Sequence, residues 1–156
     1  MTPSKVPFIV AATAVMAAPA FTVYDIIADY RNGHPHILPP AFTALTVEEG
    51  GVGAGTRIRF SMKVLGRTQS FQATVEEPEP GRVLVERNVG EPVSVTTFTV
   101  NPRGPAESEV TISTELHVRT GLLGAVERFL TRRFLQPLYV AELQRLAARA
   151  MTTPGK

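Results

Sequence analysis

Residues 4–30 read SKVPFIVAATAVMAAPAFTVYDIIADY and carry no charged side chain between Lys5 and Asp25. Such a stretch fits a cleavable secretory signal, a membrane-spanning anchor, or the first strand and helix of a soluble domain. The β-branched and small residues of 8–16 are typical of a buried strand. Pro19 suits the start of a helix, because its missing N–H leaves no hydrogen bond unmade there. The stretch therefore predicts a strand followed by a helix.

The helix predicted after Pro19 has one apolar face. The spacing i, i+3, i+4, i+7 is that of a buried helical face, and it is met by Val23, Ile26, Ile27 and Tyr30. Asn32-Gly33 is a signal for the end of the helix. A membrane-spanning helix would instead hold Pro19 in its interior, where proline removes a backbone hydrogen bond. We therefore expect the strand at 8–16 to be retained, without stable membrane insertion, and the protein to be cytoplasmic.

Short alternating segments, joined by turns rich in glycine and proline, occupy the middle of the chain. The segment HPHILPP, residues 34–40, predicts a turn or short helix before a strand from Phe42 to Glu48. In 57–64 apolar and polar residues alternate strictly, and one face consists of Ile58, Phe60, Met62 and Val64. The same period of two recurs in 67–77 and 109–119, as in half-buried antiparallel strands. Connections of hairpin length predict one antiparallel sheet.

From Leu122 to Ala150 the apolar residues recur with the spacing of an α-helix. One stripe of this predicted helix consists of Leu123, Val126, Leu130, Phe134, Leu138 and Ala141. A second stripe, after Pro137, consists of Tyr139, Leu143, Leu146 and Ala150. Pro137 itself predicts a kink between the two stripes. Glu142 falls outside the first stripe, and the arginines of this helix are interpreted as a solvated face.

Composition limits the possible functions. The chain has 156 residues, a formal net charge of +2 and no cysteine. Its length predicts a single domain, taken as residues 1–156 with a core of about 6–150. The absence of cysteine excludes disulfides and cysteine-ligated metal sites, and the small net charge does not favour nucleic-acid binding. The glycine-rich residues 50–55 lack the lysine and the following helix of a phosphate-binding loop, so they are interpreted as a hairpin turn.

Several segments, taken in order along the chain, resemble one family. They are IVAATAVMAAPAFTVYDIIADY at 9–30, EEGGVGAGTRIRF at 48–60, VEEPEPGRVLVER at 75–87, TTFTVNPRG at 96–104 and ESEVTIS at 107–113, followed by the long terminal helix. With this order the chain resembles the START-like (SRPBCC) superfamily, and within it the polyketide cyclase/dehydrase and lipid-transport group. The resemblance implies an α+β helix-grip fold: a curved antiparallel seven-stranded sheet wrapped around the long C-terminal helix, with two short helices after the first strand.

The resemblance also implies a cavity between sheet and helix that usually holds an apolar ligand. The candidate walls are Phe60, Met62, Phe71 and Phe98 from the strands and Val126, Leu130 and Phe134 from the long helix. The alternative is that these side chains interlock as an ordinary core. Few ionisable groups are expected to face inward. The predicted site therefore binds its ligand by removing apolar surface from water, and it has few groups that could act as a general acid or base. No catalytic residue, metal ion or cofactor is assigned.

The predicted function is that of a carrier or sensor for a small hydrophobic molecule such as a lipid, a quinone or a polyketide-like compound. A polyketide cyclase/dehydratase-type enzyme using the same cavity is the first alternative, and a protein-interaction module is the second. His34 and His36 have no evident third ligand for a metal ion. A histidine at the cavity mouth could carry protons near neutral pH, which would favour the enzyme.

Overall fold

The computed structural model describes residues 4–64 and 66–153. Its strands are β1 (Lys5–Met16), β2 (Phe42–Glu49), β3 (Arg57–Val64), β4 (Arg67–Glu79), β5 (Val83–Asn88), β6 (Ser94–Pro102) and β7 (Ser108–Arg119). Its helices are α1 (Ala20–Ala28), a 3₁₀ helix at His34–His36, and α2 (Gly121–Thr152). The prediction of one domain over 1–156 includes residues 1–3, 65 and 154–156, which lie outside the described residues.

All seven strands form one sheet, in the order β1-β7-β6-β5-β4-β3-β2, and each neighbouring pair is antiparallel. From β2 to β7, strands that are consecutive in the chain are neighbours in the sheet, as hairpin connections require. The strand β1 instead pairs with β7 at the far edge. The helix α2 packs against β1 and β7. This is the helix-grip arrangement that the resemblance implied, and α1 and the 3₁₀ helix are the two short helices after the first strand.

The uncharged stretch at 4–30 forms a strand and a helix, as predicted. The strand β1 is longer than the predicted 8–16, because its pairing with β7 begins at Lys5 and continues to Met16. Val10 and Met16 are almost fully buried, so the strand contributes directly to the core. Among residues 4–64 and 66–153, no helix has the length and apolar character needed to cross a membrane.

The helix α1 ends at Ala28, earlier than the Asn32-Gly33 signal indicated. The cause is local: Oδ1 of Asp29 accepts the backbone N–H groups of Arg31 and Asn32, each at 3.0 Å. An aspartate that binds the backbone two and three residues later forms a turn that competes with the helix. The chain therefore leaves α1 before Tyr30, and this turn leads into the 3₁₀ helix that carries His34.

The helix α2 contains Pro137 and is buried unevenly along its length. Apart from Gly124, every buried residue of α2 lies after Pro137. These residues are Tyr139, Glu142, Leu143, Leu146 and Ala150. These include the whole predicted second stripe. In the first stripe, by contrast, Leu123, Val126 and Leu130 are all at least half exposed. A cavity lies between the sheet and this part of α2, so the first half of the helix covers space that side chains do not fill.

Candidate functional site

The cavity between the sheet and α2 has a volume of about 570 Å³ and a mainly apolar wall. Six of the predicted site residues line it: Phe60, Met62, Phe71, Phe98, Leu130 and Phe134. Val126 lies on the exposed part of α2, outside this wall, with 50% of its surface accessible. The apolar side chains that β3 and β4 direct inward therefore border the open volume of the cavity. This agrees with the alternation of apolar and polar residues in the two strands.

Strand register brings three phenylalanines together on one wall. Phe60 on β3 is directly opposite Phe71 on β4, and their rings stack with centroids 5.5 Å apart. Phe42 on β2 lies against Phe60 with a centroid distance of 6.0 Å. Aromatic pairs at such distances stabilise each other beyond their buried area. This wall is an apolar, aromatic surface suited to a hydrophobic or aromatic molecule.

The opposite end of the cavity contains a row of polar side chains set by the register of β5, β6 and β7. Glu86 pairs with Thr96, and Thr96 pairs with Thr114. The hydroxyls of Thr96 and Thr114 are 2.8 Å apart, and Thr114 also hydrogen-bonds the hydroxyl of Tyr139 on α2. Burial raises the pKa of Tyr139 to about 12. The tyrosine therefore remains a neutral hydroxyl at physiological pH.

His34 enters this polar end from the 3₁₀ helix and is only 3% exposed. Its Nδ1 lies 2.8 Å from the carbonyl oxygen of Ile27. Because a carbonyl can only accept, Nδ1 carries a hydrogen and donates. The imidazole stacks on Tyr30 with centroids 4.4 Å apart and meets the edge of Phe98 at 5.6 Å. These contacts fix the ring, so that its second nitrogen, Nε2, points toward Glu86 and Glu142.

Two carboxyl groups face the Nε2 atom of His34. Oε1 of Glu86 lies 3.7 Å from it and Oε1 of Glu142 lies 3.8 Å from it, distances too long for direct hydrogen bonds. Glu86 accepts a hydrogen bond from the hydroxyl of Tyr30. Glu142 is 3% exposed. We call the end of the cavity formed by His34, Glu86, Glu142 and Tyr139 the cavity floor.

The carboxyl of Glu142 has an unusual environment for an acid. Burial, and secondly the negative charge of Glu86, raise its pKa well above the ordinary value. No hydrogen bond to it is found within the described residues, although its carboxyl borders the cavity. A buried polar group without a partner destabilises a fold, and a buried charge does so more strongly. Ionised Glu142 therefore destabilises the fold unless a group of opposite charge lies beside it.

The expectation that few ionisable groups face inward was wrong. Glu142 lies three residues after Tyr139 and four before Leu146, so it belongs to the face of the second helical stripe. Glu86 shares its strand face with buried Leu84. Periodicity predicts the inward positions of Glu142 and Glu86, provided that a carboxyl group is accepted on a buried face. The pairing of these residues with His34 has no local signal, because it depends on the packing of three separate elements.

The two histidines of the HPH segment have different positions. His34 is buried at the cavity floor and not at the mouth, whereas His36 is exposed and does not line the cavity. In the parts of the chain that the structure describes, no group of three or more histidine, aspartate or glutamate side chains is arranged to hold a metal ion. His34 is therefore the histidine of interest for binding or proton transfer.

Replacing Glu142 by glutamine is expected to stabilise the protein at alkaline pH and not at acidic pH. The raised pKa means that the folded state holds the proton more tightly than the unfolded state. The wild-type protein therefore loses unfolding free energy as the pH rises above about 4.5, up to the raised pKa, whereas Glu142→Gln does not. We expect urea unfolding to show a gain of about 1–3 kcal/mol near pH 8 and almost none near pH 4. The same gain at both pH values would contradict a titrating buried carboxyl.

Comparison with known proteins is consistent with this architecture. Residues 7–151 match the family model for polyketide cyclase / dehydrase and lipid transport. No curated protein matches the chain at a significant level. Among solved structures, the Zhui aromatase/cyclase from Streptomyces sp. R1128 is 17% identical, with a TM-score of 0.77 and 94% of each chain covered.

Two further solved structures have the same fold. Norcoclaurine synthase from Thalictrum flavum is 20% identical, with a TM-score of 0.73, and the match covers 98% of this chain and 91% of that one. A START superfamily protein from Mycobacterium smegmatis is 17% identical, with a TM-score of 0.71, and the match covers 92% of this chain and 97% of that one. At these identities the structures support the fold alone. Because the family model spans nearly the whole chain, the protein belongs to the polyketide cyclase/dehydrase and lipid-transport family.

Proposed function

We propose that the protein is a cytoplasmic carrier or sensor that binds a small hydrophobic molecule between the sheet and α2. The observation that supports this most directly is the cavity of about 570 Å³ with its mainly apolar wall. Cavities of this size and character are typical of small-molecule sites. In this proposal the ligand contacts Phe60, Met62 and Phe71 on the sheet side and Leu130 and Phe134 on the helix side. Phe98 contacts it near the cavity floor.

The driving force of such binding is the removal of apolar surface from water. Transfer of apolar surface is favourable by about 25 cal/mol per Å², and part of that gain offsets the loss of motional freedom on association. We expect saturable binding in the micromolar range, which corresponds to roughly −8 kcal/mol. Lipids, quinones and aromatic polyketides are the compound classes to screen, by displacement of a fluorescent apolar probe. Native mass spectrometry of protein from its own host would identify a retained ligand directly.

A phenylalanine added inside the cavity is expected to block binding, while the same residue added outside is not. Ser94 on β6 lines the cavity, so Ser94→Phe places a ring in the ligand volume. Ser113 on β7 is half-buried and lies on the opposite face of the sheet from buried Ile112, so Ser113→Phe is the matched control. We expect Ser94→Phe to weaken binding of N-phenyl-1-naphthylamine at least about tenfold, and Ser113→Phe to change it less than about twofold.

Two outcomes of this experiment would count against the proposal. Equal effects of Ser94→Phe and Ser113→Phe would place the binding site elsewhere on the surface. The absence of saturable binding to the wild-type protein, for the probe and for all screened classes, would remove the carrier or sensor function. Thermal melts of both variants establish that each is folded at the temperature of the assay.

A polyketide cyclase/dehydratase-type enzyme is the second candidate, and the cavity floor is the observation that favours it. A fixed imidazole facing two carboxyl groups has the groups that general acid–base chemistry uses. We expect such an enzyme to form a product from a polyketide-type substrate, and His34→Ala to lose this turnover while retaining probe binding. Binding without product for the wild-type protein would leave the carrier or sensor as the better description.

A further inference from the structure

The cavity floor presents two carboxyl groups to any molecule that fills the cavity. Glu142 is only 3% exposed and has no hydrogen-bond partner within the described residues, yet its carboxyl borders the open volume. An apolar residue of similar size would stabilise the fold better at such a position. Packing therefore does not account for an acid at this position, whereas a ligand group that completes its interactions does.

Charge determines which ligand group is complementary to this floor. Oε1 of Glu86 and Oε1 of Glu142 both lie within 4 Å of His34 Nε2, so they converge on one region. Among the described residues that line the cavity, Arg133 is the only lysine or arginine. It lies nine residues before Glu142 on α2, about 13 Å along the helix axis at 1.5 Å per residue. Within the described residues that line the cavity, the carboxyls of the floor thus have no lysine or arginine beside them, and the basic group that faces both is the imidazole of His34.

The other side chains at the floor are also compatible with a cation. The hydroxyl of Tyr30 donates to Glu86, which leaves that carboxyl acting as an acceptor. The rings of Phe98 and Tyr139 border the same end of the cavity, and aromatic faces attract cations. In a site of low effective dielectric, the attraction between a carboxylate and an ammonium group is several times stronger than in water.

We propose that the cavity floor selects a ligand with a protonated amine, so that the hydrophobic molecule bound by this protein is an amphiphilic amine. Its ammonium group binds at Glu142 and Glu86, and its apolar body lies along Phe60, Phe71 and Phe134. This inference rests on the proposed binding function and specifies its ligand class. A carboxylate ligand of the same shape is repelled at the floor, and a neutral alcohol gains no ion pair there.

Three compounds with one apolar chain and different end groups test the proposal. They are decylamine, decan-1-ol and decanoate, each used to displace N-phenyl-1-naphthylamine from the wild-type protein near pH 7. An alkylamine is protonated at this pH, as a lysine side chain is, and decanoate is ionised. We expect decylamine to displace the probe at a concentration at least about tenfold lower than decan-1-ol, and decanoate to be the weakest of the three.

Substitutions in the cavity floor test whether its carboxyl groups are the source of the amine preference. Glu142→Gln keeps the shape of the side chain, and we expect it to reduce the preference for decylamine over decan-1-ol to less than about threefold. Glu86→Gln provides the same test from the sheet side. Glu115→Gln, the same chemical change at an exposed position on β7, is the control that should leave the preference intact.

The outcomes separate this inference from the proposed function. Equal affinities for the amine and the alcohol, or tightest binding of decanoate, would overturn the amine selectivity while leaving a hydrophobic binding protein. An amine preference that persists in both Glu142→Gln and Glu86→Gln would also overturn it, because the floor would then not be its source. Failure of the probe to bind saturably to the wild-type protein would overturn both proposals.

Discussion

Deletion of residues 1–20 is expected to abolish cooperative folding. The deletion removes the whole of β1, which pairs with β7 over all twelve of its residues. It also removes Phe8, Val10 and Met16 from the core, where each is at most 7% exposed. Loss of one large core side chain typically costs about 2–5 kcal/mol, and a domain has only about 5–15 kcal/mol in total. The loss of three such side chains and an edge strand exceeds that margin.

Circular dichroism melts and gel filtration provide the measurement. The truncated chain should show no sigmoidal thermal transition and should elute as expanded or aggregated material. Deletion of residues 1–4 alone, which leaves β1 intact, is the control and should melt close to the wild-type protein. A soluble, cooperatively melting chain without residues 1–20 would contradict the prediction. So would a protein from the native host whose sequence begins near Ala20.

The second large effect is expected in the later part of α2. Leu146 is fully buried, whereas Leu122 on the same helix is 84% exposed. Leu146→Ala should therefore lower the free energy of unfolding by about 2–5 kcal/mol, and the matched control Leu122→Ala should change it by less than about 0.5 kcal/mol. Urea unfolding with a common slope for both variants measures the difference. Similar losses in the two variants would show that the first half of α2 contributes to the core as much as the second.

Periodicity was sufficient to predict most of the strands and helices, whereas the helix-grip arrangement was implied by the resemblance to a family. The alternation of 57–64 correctly placed Ile58 and Phe60 on the inner face, and the helical stripe at Leu143 and Leu146 correctly identified the buried face of α2. Both results depend on a local rule, since exposing a whole apolar face is costly in any surroundings. The lengths of β1 and α1 were less accurate, because they depend on pairing with β7 and on the turn at Asp29.

The site was predicted only in its apolar part. A helical stripe specifies which side of α2 faces the sheet but not how far away the sheet lies. Val126 and Leu130 belong to one predicted stripe, yet only Leu130 borders the cavity. The polar cavity floor was missed for a different reason. When a helix or strand is assigned from its apolar pattern, a glutamate is assumed to face the solvent. His34, Glu86 and Glu142 meet only when the 3₁₀ helix, β5 and α2 pack together.

The uneven burial of α2 has a consequence for the proposed ligand binding, because the rate of ligand exchange need not depend on the rate of global unfolding. The large buried side chains of the helix all follow Pro137, and proline has no N–H with which to bind the carbonyl of Arg133, four residues earlier. Outward displacement of the first half therefore disturbs little of the core and costs less than global unfolding. If the proposed binding occurs, we expect the ligand to enter and leave in microseconds to milliseconds, while the folded state persists far longer.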